Sequence, residues 1–209
     1  MKKIFLLSVI LSMFFLTPLS AKTEVDKAFK KRTKSTGNAF TLYSPDIYNG
    51  KEIQKEQVFN GFGCKGKNIS PKLVWKNAPK STKSFAITMF DKDAETASGW
   101  WHWVVYDISA NIALIEDGAS EDKKLFPKGA IQATNDYGEK GFGGVCQTNE
   151  KKHNYIITLY ALDVEKLDLP KNATPAMINY FLNLHKISTA KIQAFYTQKS
   201  GMIYRGRKY

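Results

Sequence analysis

The chain has 209 residues, 43% of them hydrophobic and 24% charged, which is enough apolar side chain to bury one core and excludes intrinsic disorder. A formal net charge of +12 points to a polyanionic partner only until it is mapped along the chain. Residues 22–34 carry six bases and two acids, residues 199–209 carry four bases and no acid, and the interval 35–198 holds nineteen bases against seventeen acids.

The basicity therefore belongs to the ends, and the body is nearly neutral. No nucleic-acid motif accompanies it, so nucleic acid is not an expected partner. The basic ends read as solubilising tails, with attraction to an anionic surface as the alternative. Residues 1–21, MKKIFLLSVILSMFFLTPLSA, combine two lysines, an apolar run and small residues, the layout of a secretory signal peptide cleaved near Ala21. The uncharged stretch is at the short limit for spanning a bilayer, and no second apolar run of that length follows. The expected organisation is a signal peptide (1–21), a basic flexible segment (22–37), one domain (38–198) and a basic tail (199–209). The expected location is periplasmic or secreted, with no transmembrane segment in the mature chain.

The two cysteines, Cys64 and Cys146, make an even count in an oxidising compartment, which favours a disulfide over two buried free thiols. No cysteine has the CxxC spacing of a zinc site.

In chain order, residues 38–43 (NAFTLY) alternate as a strand does, and Ser44-Pro45-Asp46 breaks them. Three glycines within Gly61–Gly66 mark a loop around Cys64. Leu73-Val74-Trp75 is a short apolar run. Ser84–Phe90 and Trp101–Ile108 read as strands flanking a polar loop that carries Asp91 and Asp93. In the second, simple alternation puts Trp101, Trp103 and Val105 on one face and His102, Val104 and Tyr106 on the other. Residues 110–136 are irregular, and Tyr137–Cys146 (YGEKGFGGVC) is a glycine-rich loop whose amides can form an anion-binding concavity. His153–Leu162 is the clearest strand, with His153, Tyr155, Ile157 and Leu159 on one face. Thr174-Pro175 opens a helix as cap and first residue, with Met177, Ile178, Phe181 and Leu182 as its apolar stripe, and Ile187–Thr197 closes the domain as a strand. The pattern predicts a mainly β, antiparallel architecture.

The segments NGFGCKGKNISPKLVW, TKSFAITMFDKDAETASGWWHWVVYDI, TNDYGEKGFGGVC and KHNYIITLYALD resemble the phosphatidylethanolamine-binding protein family, and within it the exported bacterial Raf kinase inhibitor-like branch. The resemblance implies a fold of two antiparallel sheets with a few short helices and a small anion-binding pocket at one end. It assigns Asp91, His102, His153 and Tyr155 to that pocket, Trp100 to its wall, and the backbone from Gly144 to Cys146 to its floor. Asp93 is implied as loop support, and the Cys64–Cys146 disulfide is strengthened. Two departures alter the rim. The family's DPDAP is here Asp91-Lys92-Asp93-Ala94-Glu95, and its Pro-Pro turn after Cys146 is Gln147-Thr148-Asn149-Glu150.

An anion beside Asp91 is repelled unless a proton or cation intervenes, so His102 and His153, raised by the neighbouring carboxylate, are expected to supply positive charge. Tyr155 would donate its hydroxyl hydrogen, and the glycine amides would donate theirs. The expected ligand is a phosphate, phosphoester or phospholipid headgroup, bound without cofactor, metal or catalytic residue. A protein partner and a homodimer complete the expected partners. The alternative is a metal-assisted or acid/base hydrolase using the same Asp and His residues. No GxSxG or HExxH motif supports it.

Overall fold

The computed structural model describes residues 39–198; the expected signal peptide, the basic segment 22–37 and the tail 199–209 lie outside the described residues. In chain order the elements are β1 (Thr41–Tyr43), a 3-10 turn (Lys55–Gln57), β2 (Asn60–Gly61), β3 (Cys64–Lys65), β4 (Leu73–Lys76), β5 (Ser84–Asp91), β6 (Trp100–Ser109), β7 (Leu114–Ile115), β8 (Ile131–Gln132), β9 (Lys152–Leu162), α1 (Pro175–His185) and β10 (Lys186–Thr197). One sheet has the order β1-β4-β7, a second has the order β10-β9-β5-β6-β8, and β2 and β3 form a small hairpin. All pairings within the sheets are antiparallel, as the alternating sequence predicts. Among the described residues no helix is long and apolar enough to cross a membrane.

The main core lies between the two larger sheets. Leu73, Trp75 and Ile115 on one side meet Ile87, Met89, Trp103, Val105 and Ile157 on the other. The outer face of the five-stranded sheet is covered by α1, whose Ile178 and Leu182 pack on Ala86, Val104, Tyr106, Tyr160 and Leu162. Strand β5 is central and almost wholly buried, so its sequence, SFAITMFD, is mostly apolar, with Ser84, Thr88 and the terminal Asp91 as its polar residues.

The helix begins as expected: Thr174 Oγ1 accepts from the Met177 amide at 3.2 Å, and Pro175 occupies the first turn. Its apolar stripe is narrower than the sequence suggested. Ile178 and Leu182, four apart, share the buried face, whereas Met177 is turned outward with Tyr180 and Leu184.

The outer edge of β10 is partly covered. The Gly50 amide donates to Gln193 O (2.7 Å), the Phe195 amide to Lys51 O (3.0 Å), and the Ile53 amide to Phe195 O (2.7 Å).

Cys64 and Cys146 are joined in a disulfide with Cα atoms 5.9 Å apart and 82 positions of separation. Closing a loop of that length in the unfolded chain is worth on the order of 4 kcal/mol. The double variant Cys64→Ala/Cys146→Ala should lose up to about that amount, read as a lower urea midpoint, and reductant should shift the native protein but not the variant.

Candidate functional site

Register sets the site. Asp91 ends β5 with Trp100 of β6 as its partner on one side and Tyr155 of β9 on the other. Strict alternation would place His102 on the face opposite Trp103. The ladder instead pairs Phe90 with Trp101 and Met89 with Trp103, so His102 is an extra residue opposed by none. This β-bulge turns His102 and Trp103 toward the same side of the sheet and corrects the predicted face assignment. His102 is thereby brought against Tyr155, ring centroids 5.2 Å apart.

Asp91 is 2% exposed, and both of its oxygens are occupied. Oδ2 accepts from His153 Nδ1–H at 2.7 Å, and Oδ1 accepts from the Asp93 amide at 2.8 Å. Asp93 ties its loop to β9: its Oδ2 accepts from the Asn154 amide (2.8 Å) and from Asn154 Nδ2 (2.7 Å), and Lys92 Nζ donates to its Oδ1 at 2.6 Å. Burial works to raise the Asp93 pKa, but these hydrogen bonds and the Lys92 charge outweigh it, and the carboxyl lies at about 2.

Above the pair opens a pocket of about 160 Å³, lined by Asp91, Trp100 and His153 together with Phe62, Glu95, Tyr137, Gln147 and Thr148, among others. His102, Tyr155 and Gly144 stand behind this lining. His102 Nδ1 is 2.9 Å from Gly143 O and 3.0 Å from Gly144 O; an Nδ1–H donates there, which leaves Nε2 with the lone pair. Full burial lowers the His102 pKa despite these carbonyls and Asp91, so the ring is neutral and does not bring the positive charge expected of it.

The glycine floor also differs from expectation. The Gly144 amide donates to Asn68 Oδ1 (2.7 Å) and the Val145 amide to Gln57 O (2.9 Å), so neither is free for an anion. Glycine is needed at 144 for close approach: a Cβ there would come within 2.5 Å of Gln57 O and the Phe59 amide nitrogen.

Tyr137 was not singled out by sequence. It stacks on Phe59 at 4.1 Å, meets Trp100 edge-on at 5.2 Å, and donates its hydroxyl to Gly144 O at 3.0 Å. Its place at the head of the glycine loop was the available signal. Burial, then the Asp91 charge, raises the pKa of both Tyr137 and Tyr155, which keeps their hydroxyls protonated. The Tyr155 hydroxyl and Trp100 Nε1 are buried and have no hydrogen-bond partner among the described residues. Asp91 and Gln147 lie within reach of the Tyr155 hydroxyl and both act on it, but neither makes a hydrogen bond of good geometry to it. Among the described residues no three His, Cys, Asp or Glu side chains are grouped to hold a metal ion.

Two pH effects follow. Because the folded Asp93 value of about 2 lies below the ordinary 3.8, its stabilisation is present above 3.8 and drains as pH falls toward 2. Asp93→Asn should flatten that acid limb in urea unfolding at stepped pH. For His102 the unfolded chain takes the proton first, so stability falls as pH drops below 6.5. In an NMR titration the His102 ring should protonate at a pH below the ordinary 6.5.

Comparison with known proteins agrees with this architecture. The family described as phosphatidylethanolamine-binding protein matches residues 44–197. The UPF0098 protein YbcL of Escherichia coli is 43% identical over 163 residues, covering 77% of this chain and 89% of that one. YbhB of the same organism is 38% identical over 156 residues, covering 75% and 99%. The crystal structure of Escherichia coli YbcL, described as a new member of the mammalian PEBP family, superposes with a TM-score of 0.74 at 42% identity, over 77% of this chain and 99% of that one. With the family match spanning residues 44–197 and relatives of this identity and coverage, this chain belongs to the phosphatidylethanolamine-binding protein family.

Proposed function

We propose that the chain binds, without turning it over, a small ligand bearing a phosphate group, and does so as an exported protein. The observation that carries this reading is the pair of unpartnered buried donors, the Tyr155 hydroxyl and Trp100 Nε1, beside the Asp91–His153 pair. Buried donors without acceptors cost about 1–3 kcal/mol each, a cost that a ligand oxygen relieves.

Asp91 sets a second requirement. With His102 neutral, Asp91 is answered by the His153 Nδ1–H hydrogen bond, and a ligand that carries its own proton lessens the repulsion beside it. A hydrogen phosphate ester supplies oxygens for the donors and an O–H for an acceptor, which a fully ionised small anion does not. A pocket of about 160 Å³ suits a headgroup or a phosphomonoester. Modulation of a protein partner is part of the same proposal: the filled pocket presents the ligand's outer portion at the surface, where a partner would read it.

Calorimetry with inorganic phosphate, phosphoserine and phosphoethanolamine tests the reading. Tyr155→Phe should weaken binding about tenfold or more, the value of a hydrogen bond to a charged group, while raising ligand-free stability by about 1 kcal/mol. Absence of binding by all three, or an unaltered affinity in Tyr155→Phe, overturns it. Release of nitrophenol from p-nitrophenyl phosphate that His153→Ala abolishes would overturn the non-catalytic part. Mass spectrometry of periplasmic protein should give a mature chain beginning near residue 22.

A further inference from the structure

The two stretches that depart from the family pattern touch each other across the pocket mouth. Glu95 lies on the loop after β5, Thr148 on the loop before β9, and both line the pocket. The Thr148 hydroxyl donates to Glu95 Oε2 at 3.2 Å across 53 positions of sequence. Lys151 Nζ stands 3.9 Å from Glu95 Oε1. Where the family pattern has prolines, with no side-chain donor or acceptor, this chain has a polar bridge.

The bridge fixes a carboxylate at the mouth. Thr148 holds Oε2 in place, and Lys151, four-fifths exposed, offsets the charge only in part because solvent screens such a pair. Lys92, the other cation on the rim, is drawn away: its ammonium is on Asp93 Oδ1 at 2.6 Å. A ligand seated on Asp91 and His153 must pass its remaining portion by Glu95.

We propose that Glu95, held across the mouth by Thr148 and Lys151, determines specificity by selecting against ligands whose outer portion carries a negative charge. The inference rests on the phosphate reading of the pocket. It concerns what is attached to the phosphate, and the pocket floor leaves that open. Neutral polar substituents such as a diol are accepted, and carboxylates are discriminated against.

The test uses two ligands that share a phosphomonoester and differ at the far end, glycerol 3-phosphate and 3-phosphoglycerate. At low salt the native protein should bind glycerol 3-phosphate about fivefold more tightly, the factor for two unit charges about 4 Å apart in water. The preference should shrink as salt is raised to 0.15 M. Glu95→Gln should erase or invert it, since Lys151 then faces the ligand unopposed, and Thr148→Val should reduce it. Glu95 and Thr148 are exposed, so both variants should keep the native thermal midpoint. If neither ligand binds the native protein, the phosphate reading itself fails. If both bind with a ratio of one, or with a ratio that Glu95→Gln leaves unchanged, the role of Glu95 is overturned and the pocket stands.

Discussion

A single carboxylate, buried at the end of the central strand, governs how the rest of the site is arranged. Removing a charge from water costs several kcal/mol unless its lone pairs find donors. Asp91 meets that demand with one donor from β9, the His153 ring, and one from its own loop, the Asp93 amide. The second donor is only as well placed as the loop, and Asn154, the next residue of β9, clamps that loop through Asp93. One strand thus holds the carboxylate directly and indirectly. A slip of one residue in the β5–β9 register would turn His153 and Tyr155 to the other face and leave the charge unanswered.

The same logic explains which parts of the site could be read from the sequence. Strand β9 alternates without interruption, so placing His153 and Tyr155 on one face needed only the period of two. The segment WWHWVVY in β6 is apolar apart from His102 and gives no sign of its bulge, which shows only in the partner strand, where one step of β5 faces two steps of β6. A single strand contains no record of a mismatch with its neighbour. His102 was therefore recognisable as a pocket residue by family resemblance and not by periodicity. Its neutrality was hidden for a related reason, because full desolvation outweighs the nearby carboxylate and depends on everything packed around the ring.

The glycine loop gives a second example. Its composition announced unusual backbone and close contacts, and the contacts are there, but the sequence could not say to whom the amides are given. Asn68, seventy-six positions away, takes the Gly144 amide, while His102 and Tyr137 converge on the carbonyls. The loop serves as the frame on which two aromatic side chains are hung, and its Gly144 and Val145 amides are spent on Asn68 and Gln57. In the helix the cap and the Ile178–Leu182 pair were legible, while the side taken by Met177 depended on the sheet beneath it.

The segment laid along β10 has a further consequence for association. An open sheet edge is a template on which another chain can extend the ladder. Tyr196 lies opposite His153, so the half of β10 from Gln193 onward is the half beside the pocket, and that half is occupied by residues 50–53. Toward its start the strand carries Lys186 and Lys191 and an irregular step between Lys186 and Ser188. Pairing seals one end of the edge, while charge and a kink guard the other. A foreign strand could extend the β10 edge next to the pocket only by displacing residues 50–53.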